Sequence, residues 1–78
     1  MDEAEIRALL VDGLGECEIE IVVEGNRLSL DLVAAVFAEL SRLKRQQLVN
    51  KLLSQKISSG EIHAVSMRCN SPDERIGN

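Results

Sequence analysis

Seventy-eight residues carry a formal net charge of −4, with 45% hydrophobic and 28% charged side chains, the balance of a soluble globular chain rather than a disordered one. A chain this short buries only about 60% of the surface it exposes when unfolded, so a single domain over residues 1–78 with a modest core is expected. One Phe and no Trp or Tyr nearly exclude base stacking on aromatic platforms; the apolar run from Leu32 is far too short for a bilayer, and the acidic start Met1-Asp2-Glu3 lacks the order of a secretory signal, so a cytoplasmic protein without membrane contact is expected.

The first helix spans residues 3–12. Asp2 is its N-cap, Glu5 stands three positions later in capping-box fashion, Ile6, Leu9 and Leu10 share a face, and Gly13 and Gly15 end it. Residues 17–23 alternate: Cys17, Ile19, Ile21 and Val23 point one way, Glu18 and Glu20 the other. Glu24-Gly25-Asn26 is a tight turn, and residues 27–33 alternate again with Leu28, Leu30 and Leu32 inward, giving an antiparallel hairpin.

The period then becomes helical. Residues 34–40 form a short helix, and Ser41 caps a longer one through Leu43, Leu48, Val49, Leu52, Leu53 and Ile57, stopped by Ser58-Ser59-Gly60. Residues 62–68 read as a third strand, with Ile62, Ala64 and Ser66 on one face and His63, Val65 and Met67 on the other. Ser71-Pro72-Asp73-Glu74 places Ser at an N-cap, Pro at the first helical position and Glu at the third, opening a helix of at most about a turn.

The order αββααβ(α) defines a two-layer α+β domain. The hairpin makes the first two strands antiparallel, and the helical crossover makes the second and third parallel, giving a three-stranded mixed sheet with helices on one face. His63 then sits at the hairpin-turn end of the sheet, near Gly25, Asn26 and Arg27. Cys17 starts at the opposite end, and Cys69 lies six residues beyond His63, about 20 Å along an extended strand, so neither cysteine shares a metal with His63 in one monomer. With no C-x-x-C motif, Cys17 and Cys69 read as free thiols of a reducing compartment.

Charge is divided along the chain. Residues 1–41 hold ten acids against two bases, a sum of −8, whereas residues 42–68 hold six bases against Glu61 alone, a sum of +5. A basic segment on an acidic chain suits a specific anionic partner better than indiscriminate phosphate binding.

The segments from Phe37-Ala38-Glu39-Leu40-Ser41-Arg42-Leu43-Lys44-Arg45 through Val49, Gly60-Glu61-Ile62-His63-Ala64-Val65-Ser66-Met67, and Ser71-Pro72-Asp73-Glu74 together resemble the BolA family, most of all its short bacterial members. The element order is also that family's, which is related to the class-two KH fold. The resemblance implies a non-enzymatic partner of monothiol glutaredoxins. In it the histidine of Ile-His-Ala, here His63, ligates a [2Fe–2S] cluster shared with glutaredoxin and glutathione thiolates, with no cofactor in the isolated protein, which would be a monomer or weak homodimer. Three departures stand out. The loop position where family members often carry Cys or His falls near Asn26 and Arg27, Glu39 replaces the usual Gly, and Arg75 stands where a Trp is common. Arg27, Arg42, Lys44 and Arg45 are the residues expected to meet a partner's carboxylates or phosphates. The runner-up reading is a nucleic-acid-binding transcriptional regulator using the basic second and third helices. The KH-like order and the basic segment favour it; the missing G-x-x-G, the lack of aromatics and the acidic N-terminal half oppose it. One His without a nucleophile or paired carboxylate in a pocket motif gives no basis for catalysis.

Overall fold

The computed structural model describes residues 1–76. Its elements are α1 (Glu3–Leu14), β1 (Cys17–Glu24), β2 (Arg27–Ala34), a single 3-10 turn (Ala35–Glu39), α2 (Arg42–Leu52), α3 (Ser54–Ser58), β3 (Ala64–Asn70) and α4 (Pro72–Ile76). The sheet order is β1-β2-β3, antiparallel between the first pair and parallel between the second, as the element order requires.

The hairpin closes at Glu24↔Arg27, with Gly25 and Asn26 between. Gly25 adopts φ 62° and Asn26 a negative φ, so only the first central position needs the freedom of glycine. Alternation puts Leu28, Leu30 and Leu32 into the core and leaves Glu18, Glu20, Glu24 and Ser29 on the bare face. The helices cover the other face, where Phe37, Ile6, Leu10, Leu28, Leu32, Leu53, Ile62 and Val49 are the largest fully buried side chains. At about 25 cal/mol per Å² of apolar area removed from water, this cluster is the main source of stability.

Four features differ from the sequence expectation. Helix α1 runs on through Gly13, where a Cβ would collide with Leu52; Leu14 is buried, Leu9 is partly exposed, and Gly15 (φ 76°) is the true C-cap. Asp2 caps α1 by accepting from Ala4 N at 2.9 Å and Glu5 N at 3.4 Å, but the Glu5 carboxylate serves Lys56 rather than a capping box. The expected long helix divides at Leu53, whose φ −98°, ψ 7° turns the chain so that its side chain enters the core. Strand β3 starts at Ala64, two residues later than expected. Its core side is Val65, Met67 and Cys69, while Ala64, Ser66 and Arg68 lie open; Ile62, still in the preceding loop, is buried independently of that alternation.

Candidate functional site: the His63 corner

The corner around His63 is built by a chain reversal. Gly60 (φ 84°) ends α3, Ile62 N donates to Lys56 O at 3.1 Å, and buried Ile62 anchors the loop in the core. His63 N then donates to Asn26 O at 2.8 Å, fastening the start of β3 to the hairpin turn. Lys56 ties the outside of this loop: its Nζ meets Glu5 at 2.6 Å and Glu61 at 3.0 Å, so one ammonium joins α1, α3 and the residue two before His63. Those two carboxylates, Glu5 first, hold the Lys56 ammonium above its ordinary pKa.

The His63 side chain is exposed, and its ring nitrogens have no hydrogen-bond partner among the described residues. A Cβ on Gly60 would stand 3.9 Å from Nε2, so the ring lies beside this bare backbone. Its other flank is an open groove of about 520 Å³ lined by Asn50, Ser54, Ile57, Ile62 and Val65 together with His63. A free imidazole nitrogen beside an apolar shelf can act as a ligand or hydrogen-bond partner toward a second molecule.

Both thiols are elsewhere. Cys17 faces Ala34 across the hairpin, and Cys69 sits beside Leu32 at the far end of β3. Burial pushes each thiol above its ordinary pKa, opposed weakly by Arg7 at Cys17 and by Arg45 at Cys69. Neither has the electropositive, exposed setting of a reactive thiolate. No group of three or more His, Cys, Asp or Glu among the described residues is placed to hold a metal.

The expected cationic residues separate. Arg27 is exposed beside Ala64, near the histidine corner; Arg42 and Lys44 are exposed in the first turn of α2. Arg45, contrary to the sequence expectation, is not presented to a partner: it is 5% exposed and its donors are spent within the chain. Its Nε donates to Leu40 O at 2.9 Å, and its Nη1 donates to Cys69 O at 3.1 Å and to Glu74 at 2.6 Å, while its Nη2 donates to Glu74 at 3.3 Å. Its guanidinium also lies 5.9 Å from the Phe37 ring centre. Glu74 closes the capping box by accepting from Ser71 N at 2.7 Å, so α4 is docked through Arg45. The sequence signal for this was available: Arg45 lies four and eight residues before Val49 and Leu53, on the core stripe of the helix. Lys56 is one of the six bases of residues 42–68, and its two ion pairs, to Glu5 and Glu61, have no local spacing that announces them.

A two-layer α+β domain with one bare sheet face and a lone outward imidazole at the mouth of its parallel strand is the class these observations define. The BolA-like protein model matches residues 20–74, and the chain belongs to the BolA family. It is 32% identical over 74 residues to the acid stress protein IbaG of Escherichia coli strain K12, covering 95% of this chain and 88% of that one. Among solved structures, a bolA protein homologue from Coxiella burnetii superposes with a TM-score of 0.81 at 25% identity, covering 97% of each chain. The BolA domain of SufE1 from Arabidopsis thaliana gives 0.77 at 28% identity, covering 95% of this chain and 98% of that one. No helix among the described residues is long and apolar enough to cross a membrane.

Proposed function

We propose that this chain is a non-catalytic partner of a monothiol glutaredoxin and that His63 supplies one ligand to a [2Fe–2S] cluster shared between them. The supporting observation is the His63 ring itself, exposed and without an internal hydrogen-bond partner among the described residues. The donor set fits a shared cluster and not a resident one. This chain offers a single imidazole nitrogen, its thiols are distant and held protonated by burial, and the remaining donors would be the glutaredoxin and glutathione thiolates. When bound, the cluster would supply electron-transfer or iron-delivery chemistry. The chain's own part is to hold the imidazole outward through the His63 N–Asn26 O bond and to offer the groove beside it for contact. The reducing cytoplasm accords with free Cys17 and Cys69. The nucleic-acid reading keeps Arg42, Lys44, Lys51 and Arg68 but loses Arg45 and Lys56 to internal pairs, and the bare sheet face is acidic.

The test is reconstitution of the chain with a monothiol glutaredoxin, iron, sulfide and glutathione, followed by visible absorption and circular dichroism. Bands distinct from those of the glutaredoxin homodimer, lost in a folded His63→Ala variant, are expected. Spectra identical to the homodimer for wild type and variant alike overturn the proposal.

A further inference from the structure

The two edges of the sheet are finished differently. Along β1 the outer edge is guarded: α1 packs beside it, Arg7 Nη1 donates to Ile19 O at 3.3 Å, and Glu18, Glu20 and Glu24 put charge on the strand. No strand lies beyond β3, and β3 carries no Pro, Lys or bulge. His63 N donates to Asn26 O, so alternation turns the N–H and C=O of Val65 and Met67 toward β2 and those of Ala64, Ser66 and Arg68 outward. No other element among the described residues donates to or accepts from those outward groups. Val65 and Met67 are only half-buried, whereas Leu28, Leu30 and Leu32 on the same side of β2 are at most 4% exposed. Arg68 shares a groove on the open face with Glu18, Glu20 and Asp31, so its charge stands over the sheet and does not bar the edge. Past Arg68 the edge closes, because α4 packs against β3 and Cys69 is buried and bonded to Arg45. The free edge is therefore Ala64 to Arg68, with Ser66 at its midpoint.

We propose that the chain self-associates as a twofold dimer in which this segment pairs antiparallel with the same segment of a second copy, centred on Ser66, so that two sheets join into one. The segment is complementary to itself. About Ser66 the outward residues meet as hydrogen-bonded pairs, Ser66 against Ser66 and Ala64 against Arg68. Val65 meets Met67 in the intervening pairs, where side chains come closest, and carries the apolar layer across the join. No like charges face each other. A centre at Met67 would instead bring the two Arg68 side chains onto neighbouring diagonal positions. A twofold pair uses the same edge on both copies and closes, so no free β3 edge is left for further growth. Five paired residues span only about 17 Å and bury well under the about 800 Å² per partner of a standard interface, so the dimer dissociates on dilution.

The experiment is sedimentation equilibrium of the full chain over a wide concentration range, with amide hydrogen exchange at both ends of it. A monomer–dimer equilibrium is expected, with the amides of Ala64, Ser66 and Arg68 exchanging more slowly as concentration rises. Each copy carries −4, so association should strengthen as salt screens their repulsion. Ser66→Lys and Ser66→Glu, both at an exposed position, should each weaken it about fivefold by setting like charges opposite, although the first lowers the net charge to −3. An equimolar mixture of the two variants should restore association. Val22→Lys, exposed in the same row of the sheet but two strands away on β1, should leave it within about twofold of wild type. A chain that is monomeric throughout, variants that associate like wild type, or a mixture that restores nothing overturns the proposal. So does a monomer whose β3 edge amides are protected only on adding glutaredoxin, since that gives the edge to another protein and not to a second copy.

Discussion

Arg45 shows what a single buried cation does in a core this small. A buried charge is tolerated only when its donors are satisfied, and here two carbonyls and one carboxylate satisfy them. The Arg45 guanidinium first, and the Ser71 N–H second, hold the Glu74 carboxyl down to about 2, from its ordinary 4.5. A carboxyl held low in the folded state contributes stability that is fully present above its ordinary value and is lost as pH falls toward the folded value. The window is therefore from about pH 4.5 down to about pH 2. Glu74→Gln should lower the thermal midpoint at neutral pH, flatten its fall across that window and converge on the wild type at its lower end; scans at several pH values check this. Parallel curves for the two proteins would show that the clamp carries no such linkage. Arg45→Met leaves the Leu40 and Cys69 carbonyls without their donor and should cost about 1–3 kcal/mol, read from urea midpoints.

Individual elements differ in how openly the sequence displays them. Ser41 accepts from Lys44 N at 3.2 Å and starts α2 as the cap pattern predicts. Ser41→Ala should cost about 1 kcal/mol of stability, measured by chemical unfolding, while leaving the far-ultraviolet spectrum of the folded state unchanged. The hairpin was readable because alternation and Gly25 act locally. The break between α2 and α3 was not, because no Gly or Pro marks it: Leu53 N bonds to both Lys51 O and Val49 O, and the turn there is set by where the core needs Leu53. The offset of β3 has the same origin, since Ile62 answers to the core and only Ala64 onward answers to β2. At the site, the nearness of His63 to Asn26 follows from strand direction, whereas its role as a ligand rests on the family resemblance and on no local pattern. The Lys56 bridge to Glu5 spans residues far apart in sequence and follows from tertiary packing. Lys56→Met should raise amide exchange at Glu61 to His63 without moving that of β1, a pattern that separates loop tethering from general destabilisation.

For the whole molecule, the sheet acts as a rigid spacer in a body of 35 × 19 × 19 Å, with the histidine corner toward one end of β3 and the Arg45 clamp on Cys69 O toward the other. Groups this far apart with no shared partner contribute independently, within about 0.5 kcal/mol or roughly a factor of two in affinity. Phe37 is the one residue whose loss should reach both. It is fully buried, it is the only aromatic, and it touches the Arg45 clamp. Phe37→Ala should cost about 3–5 kcal/mol, a large share of the roughly 4–12 kcal/mol expected for 78 residues, and loosen the Arg45 clamp and the histidine corner together. His63→Ala and Glu74→Gln should behave in the opposite way. His63→Ala should leave the urea midpoint within about 0.5 kcal/mol of wild type, and Glu74→Gln should leave the cluster bands formed with glutaredoxin unchanged at neutral pH. At low salt Arg68→Gln shifts the net charge from −4 to −5, so only its rate of encounter with a charged partner should change, and that difference should fade as salt is added. Loss of both the cluster bands and the Glu74-linked stability in either single folded variant would mean that β3 couples its two ends, and the sheet would then be a transmitter between them.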